Sequence, residues 1–145
     1  VGFPIPAERL IPHRLPMRLI ETLESCNGES GTLLVRSGAA GLLEEEDGTL
    51  APVAFLELIA QSFAALQGYR DLLSGQPVRR GFLVGVHHME FHGRAGTEGN
   101  LRVSVRVTAR FAEFAVAEGR VESQGRLVAE GSLKLWIAPA EETAP

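Results

Sequence analysis

One segment limits the possible folds more than any other: the stretch from Pro52 to about Leu73. Its residues Val53, Ala54, Phe55, Leu56, Leu58, Ile59, Ala60, Phe63, Ala64, Ala65, Leu66 and Tyr69 place apolar groups around nearly the whole circumference of a helix. A surface helix carries one apolar stripe, whereas a helix apolar all round is enclosed by protein. Pro52 suits the first turn, where its missing N–H would have no partner anyway, with Thr49 or Ala51 near the cap. Ser74-Gly75 ahead of Pro77 marks the end. The rest of the chain reads as strand, so strands must do the enclosing.

Residues 1–16 contain Pro4, Pro6, Pro12 and Pro16, each fixing φ and removing a backbone donor, which predicts an extended arm with room for one short turn. Residues 17–26 and 32–36 are strand-compatible and flank the turn signal Asn27-Gly28, giving a hairpin. Residues 38–48 form a loop whose acidic run, Glu44-Glu45-Glu46-Asp47, reads as a solvated segment. The span 81–91 opens with the apolar run Phe82, Leu83, Val84, Val86 and fits a buried strand. Leu101, Val103, Val105 and Val107 alternate with Arg102, Ser104, Arg106 and Thr108 in a period of two. Residues 114–122 alternate again, and Ser123-Gln124-Gly125 turns into a last strand at 127–137. Residues 138–145 read as a polar, frayed tail.

At 145 residues, with 45% hydrophobic and 22% charged side chains, the chain has the make-up of a single domain with one core, spanning 1–145. The parts assemble into an α+β fold: a hairpin, one long buried helix, and three or four longer antiparallel strands in a sheet curled around it. A curled sheet with an exposed edge commonly pairs with a copy of itself, which predicts a dimer. No apolar run approaches the ~20 residues of a membrane span, and the first residues lack the layout of a signal peptide, so a cytoplasmic location is expected. The net charge of −4 lacks the basic footprint of a nucleic-acid binder. Cys26, the one cysteine, reads as a small buried hydrophobe rather than a nucleophile.

Three motifs carry a resemblance. Leu10-Ile-Pro-His-Arg-Leu-Pro-Met17, then Phe55-Leu-Glu-Leu-Ile-Ala-Gln-Ser62 opening the helix, then Gly81-Phe-Leu-Val-Gly-Val86 resemble the hotdog-fold 3-hydroxyacyl-(acyl carrier protein) dehydratases. The likeness is nearest to the divergent dehydratase-like branch associated with aryl-polyene lipid biosynthesis, and it covers about residues 10–137.

The resemblance implies an elimination performed by two groups contributed across a dimer. A His in a Gly-His-Phe-Pro stretch before the helix removes a C2 proton from the 3-hydroxyacyl thioester, and a helix carboxyl helps the 3-hydroxyl leave as water. The acyl chain lies in a tunnel beside the helix, and a backbone N–H near the helix start, around Pro52 and Val53, polarises the thioester carbonyl. Glu57 maps onto the helix carboxyl. Burying a carboxylate in an otherwise apolar helix is costly, so its pKa is expected to rise or a partner to be supplied. Gln61, four residues on, shares its face and can bond Glu57 or substrate.

The sequence departs from the family at the histidine. Counting back from Glu57 by the family's spacing reaches Leu43, and no His lies between His13 and His87. His13, inside the Pro-His-Arg motif, is the substitute candidate, with packing of the arm as the alternative. His87 and His88 are adjacent on a strand and so point to opposite faces. His88 is expected to share a face with Val84, Val86 and Glu90, where it can line the acyl tunnel. His92 reads as a solvated strand-end residue. Gly81 allows a backbone or a pantetheine arm to approach closely, and Arg70, Arg79 and Arg80 can meet an acidic acyl carrier protein. No ligand spacing points to a metal or other cofactor.

Three functions remain open at this level. The first is a dehydratase-like lyase acting on acyl carrier protein or coenzyme A thioesters. The second is a hotdog thioesterase in which the helix carboxylate attacks or activates water. The third is a non-catalytic subunit paired with a related, active dehydratase, as homodimer or heterodimer.

Overall fold

The computed structural model describes residues 2–36, 38, 43–96 and 100–139. Among these residues seven antiparallel strands form one sheet: β1 (Ile5–Pro6), β2 (Ile20–Asn27), β3 (Ser30–Val35), β4 (Gly81–Phe91), β5 (Leu101–Phe111), β6 (Phe114–Ser123) and β7 (Arg126–Ile137). Their order across the sheet is β1-β2-β3-β5-β6-β7-β4. The helix α1 (Pro52–Leu73) connects the two flanks. Among the described residues, no helix is long and apolar enough to cross a membrane.

The helix forms where its composition places it. Ala51 is the N-cap, Pro52 opens the first turn, and Ser74 caps the end ahead of Gly75 at φ 69°. Leu58, Ile59, Phe63 and Leu66 are fully buried against Leu33, Val103, Val121, Leu133 and Leu135 of the sheet. The alternation of β5 is realised residue by residue, with Leu101, Val103, Val105 and Val107 inward and the residues between them exposed. Gly119 on β6 lets the sheet close on the helix, because a Cβ there would fall 2.5 Å from Ile59 Cγ2.

The arm departs from what its prolines announce in its burial, not in its extended course with one short turn. Ile5 and Pro6 add a strand to β2, Ala7–Arg9 make a 3-10 turn, and Ile5, Ala7, Leu10 and Ile11 are buried. The apolar residues outweigh the prolines because the helix offers a seat: a Cβ at Gly68 would lie 1.9 Å from the Leu10 carbonyl oxygen. Arm and helix touch backbone to backbone.

The second difference concerns β4, expected to be buried and found at the sheet's edge. Phe82, Leu83, Val84, Val86 and Phe91 are 42–51% exposed. The apolar run is real, but among the described residues only β7 lies beside it. Bulges also interrupt β4 between Leu83 and Gly85 and between Val86 and His88. Residues 39–42, within the expected loop, and 140–145, most of the expected tail, lie outside the described residues.

Candidate active site

The Pro-His-Arg-Leu-Pro-Met segment and the first half of the helix meet through one side chain. Gln61 is 1% exposed. Its Oε1 accepts a hydrogen bond from the Leu19 N–H at 2.8 Å, and its Nε2 donates to the Met17 carbonyl at 2.8 Å and to Glu57 Oε1 at 2.9 Å. The opposite amide orientation would aim the oxygen at two acceptors, so the network fixes this one. Both N–H groups and the carbonyl are used. Gln61 therefore locks Glu57 to the arm.

The segment is itself held in shape by short bonds. The Met17 and Arg18 N–H groups donate to the Arg14 carbonyl at 2.8 and 3.0 Å, and Arg14 donates from Nη1 to the Ile11 carbonyl at 2.9 Å. This turn carries His13 to the helix, where its Nε2 lies 3.9 Å from Glu57 Oε1. That is beyond a direct hydrogen bond and within the span of one bridging atom. His13 Nδ1 is buried with no partner among the described residues. Glu57 is half-buried, and its Oε2 has no protein partner among them. The burial of a lone carboxylate expected from the helix composition is thus resolved by a supplied partner and an open side.

A small cleft of about 70 Å³ brings these groups together, lined by His13, Glu57, Gln61, Gly81 and Leu83 among others. Gly81 is the first residue of β4, so the cleft opens beside the exposed edge strand. Val53 lies one helical turn before Glu57 on the same face, 55% exposed, and with Pro52 stands outside the cleft lining. Leu43, the residue reached by counting back from Glu57, packs on the core, and its carbonyl accepts a hydrogen bond from the Ala51 N–H at 2.7 Å. It anchors the helix start and offers no titratable group.

His88 is placed differently from the sequence expectation. The bulge after Val86 pairs Val86 with Leu133 but His88 with Ser132, adjacent residues on opposite faces of β7. A period of two fails at a bulge. His88 consequently faces away from Val86 and the helix, into a groove of about 670 Å³ on the outer face of the sheet, and only its place beside Glu90, 3.2 Å away, survives. Among the described residues His13 is the one imidazole within 4.0 Å of Glu57.

Two of the three arginines expected to be able to meet an acyl carrier protein are ion-paired within the chain. Arg79 donates through Nη2 to Asp71 Oδ1 at 2.8 Å, and Arg70 pairs with Glu29; Arg80 is exposed. The sequence reading missed the network behind them. Asp71, 2% exposed, accepts from Gln67 Nε2 at 3.1 Å, and Gln67 Oε1 accepts from Arg110 Nη1 at 2.9 Å. Arg110 also binds Glu29 through Nε at 2.6 Å. Burial opposes ionisation of Glu29, but the hydrogen bond and charge of Arg110, with the charge of Arg70, hold its carboxyl below the ordinary range. The available signal was Gln67 and Asp71, polar and four apart in an apolar helix. Cys26 is half-buried rather than buried, and burial pushes its thiol up.

Comparison with known proteins follows the same lines. The fold matches the dehydratase heterocomplex ApeI:P from Xenorhabdus doucetiae, with a TM-score of 0.85 at 20% identity over 93% of this chain and 92% of that one. It also matches a hypothetical thioesterase with coenzyme A from Streptococcus pneumoniae, TM-score 0.62 at 11% identity over 83% and 87% of the two chains. The E. coli PaaI protein of the phenylacetic acid degradation operon gives 0.62 at 11% over 79% and 80%. These neighbours establish the hotdog fold. No curated protein matches the chain in sequence. The family model described as ApeP dehydratase matches residues 5–144, essentially the whole described fold, and the chain therefore belongs to the ApeP-like dehydratase family.

Proposed function

We propose that this protein dehydrates 3-hydroxyacyl thioesters carried on acyl carrier protein or coenzyme A, with Glu57 as the acid and His13 as the base. The observation that carries the reading is the convergence of His13, Glu57 and Gln61 on one cleft, in a chain where counting back from Glu57 reaches Leu43. In the reaction the C2–H bond breaks, its proton goes to His13, and its electrons form the C2=C3 double bond as the C3–O bond breaks. Protonated Glu57 gives its proton to the departing hydroxyl, which leaves as water. A water molecule, such as the one released, bridging the 3.9 Å between His13 Nε2 and Glu57 Oε1 takes the proton from His13 and gives one to the Glu57 carboxylate, which restores both groups. The N–H of Val53, one turn ahead on the same face and without a partner among the described residues, is suited to polarise the thioester carbonyl.

A second reading is favoured by β4. Its exposed backbone edge and apolar side chains are what a partner strand covers, and the ApeI:P structure is a heterocomplex. On this reading the chain pairs edge to edge with a related dehydratase and completes that subunit's site. One assay separates the two: hydration of an enoyl thioester on a carrier protein by the chain alone, then with a related dehydratase added. Turnover by the chain alone that disappears in Glu57→Gln supports the first reading. Turnover only in the mixture, unaffected by Glu57→Gln, replaces it with the second. Thiol release without hydration supports a thioesterase instead.

A further inference from the structure

The outer face of the sheet carries a cluster that the proposed reaction does not use. His88, Glu90 and His92 follow one another along β4 and just beyond it, and Glu130 stands directly opposite Glu90 on β7. His92 Nε2 lies 3.0 Å from Glu130 Oε2 and 3.5 Å from Glu90 Oε2, and one donor atom from each of Glu90, His92 and Glu130 lies within 4.8 Å of the others. The other oxygen of Glu90 is 3.2 Å from His88 Nε2.

Two like charges directly opposite on neighbouring strands destabilise a sheet. Arg120 stands across from Glu130 on the β6 side, yet among the described residues no Arg or Lys ion-pairs with either glutamate. The two imidazoles are the nearby groups, and they offset the charge only when protonated. A divalent cation offsets it at any protonation state that leaves them free to bind.

We propose that Glu90, His92 and Glu130 bind a zinc-type divalent transition metal, with His88 orienting Glu90. Donor atoms about 2.0–2.1 Å from a tetrahedral zinc lie about 3.3 Å apart; the two separations from His92, 3.0 and 3.5 Å, are of that size, and the two carboxylate oxygens lie within 4.8 Å of one another. A mixed imidazole and carboxylate set selects zinc and its neighbours over calcium or magnesium, which take oxygen donors. Glu90 presents Oε2 to the site while His88 holds Oε1, the outer partner that ligating carboxylates commonly have. The frame is fixed: the His92 N–H donates to the Val128 carbonyl at 2.8 Å, and β4 sits so close to β7 that a Cβ at Gly131 would fall 2.5 Å from the His88 oxygen. The metal ties the edge strand to its neighbour, and edge-to-edge pairing through β4 would leave this face uncovered.

The test uses the full chain, stripped with a chelator, titrated with zinc chloride by calorimetry and with cobalt chloride by visible absorption. The expected result is one metal per chain, a cobalt ligand-field band and a higher thermal midpoint with zinc. His92→Ala and Glu130→Gln should each weaken zinc at least tenfold, His88→Ala about tenfold, and His87→Ala not at all. All of these side chains are wholly or partly exposed, and His92→Asn serves where the alanine variant's metal-free midpoint falls. Zinc well below one per chain, unchanged affinity in both His92 variants, or an equal loss in His13→Ala would overturn the assignment.

Discussion

Gln61 donates to Glu57 across one helical turn at 2.9 Å while its carbonyl accepts the Leu19 N–H at 2.8 Å, so one buried amide sets both the carboxylate and the segment that delivers His13. Structure and chemistry share this residue. Replacing Gln61 with Leu leaves the buried Leu19 N–H without its partner. An unsatisfied buried group costs about 1–3 kcal/mol. We expect Gln61→Leu to lower unfolding stability by that amount in urea titration at constant m-value, whereas Glu57→Gln, at a half-exposed site, leaves it nearly unchanged.

Activity should divide the same residues differently. Removing a general acid or base typically costs about 10² to 10⁴ in rate. Under the proposed mechanism Glu57→Gln and His13→Asn each lower kcat for enoyl-thioester hydration by that factor, with thermal midpoints close to the parent's. A His13→Asn variant with unchanged kcat would leave His13 only its packing role.

Gly68 supports the arm through an approach no side chain can share. A Cβ there would meet the Leu10 carbonyl oxygen at 1.9 Å, carbonyl carbon at 2.8 Å and Cα at 3.1 Å, all backbone atoms. Overpacking commonly costs about 1–3 kcal/mol, and the arm is the element free to yield. Gly68→Ala should therefore destabilise the fold by at least that much and raise proteolysis between residues 5 and 19. The same variant should lose hydration activity, since His13 travels with the arm.

The Glu29 cluster predicts an acid dependence. Its carboxyl is held below the ordinary range by Arg110 and Arg70 despite its burial. A group whose folded pKa is depressed adds stability that is present above its unfolded value, about 4.3, and is lost as pH falls through the folded value. The thermal midpoint of the parent should thus fall more steeply below about pH 4 than that of Glu29→Gln. Above about pH 5 the parent should be the more stable of the two. Parallel curves at all pH values would remove Glu29 from the acid response.

How much was legible beforehand depended on whether the signal was local. The helix bounds, the Asn27-Gly28 turn and the β5 alternation follow from neighbours in sequence, and Pro52, Gly28 and Val103 each do what their chemistry dictates. Gln61 bonding Glu57 was readable from a spacing of four. The arm's burial was not, because the room for Leu10 is made by Gly68, far along the chain. His88 was assigned to the wrong face because the register of β4 against β7 shifts between Val86 and His88, which the alternation of β4 alone does not encode. Asp71 was passed over although Gln67 stands four residues before it on the same helix; what that spacing does not encode is the closure of the network by Arg79 from beyond the helix end and by Arg110 of β5 through Gln67.

The edge strand offers the last test. Five large apolar side chains on β4 are 42–51% exposed while, among the described residues, no strand lies beside its outer backbone edge, a combination that natural sheets avoid by charge, proline or cover. Charge and proline are absent from 82–86, so cover by a second hotdog chain is the expected remedy, and the cleft holding Glu57 opens next to that edge at Gly81 and Leu83. Val84→Lys places a cation on the strand without touching the core, since Val84 is 51% exposed. Light scattering after size exclusion should show the parent as a dimer, alone or with a related dehydratase, and Val84→Lys shifted to single chains at micromolar concentration. Circular dichroism should show the variant's strands intact. If the parent runs as a single chain both alone and in that mixture, β4 is not the pairing edge and the site must be complete within one chain.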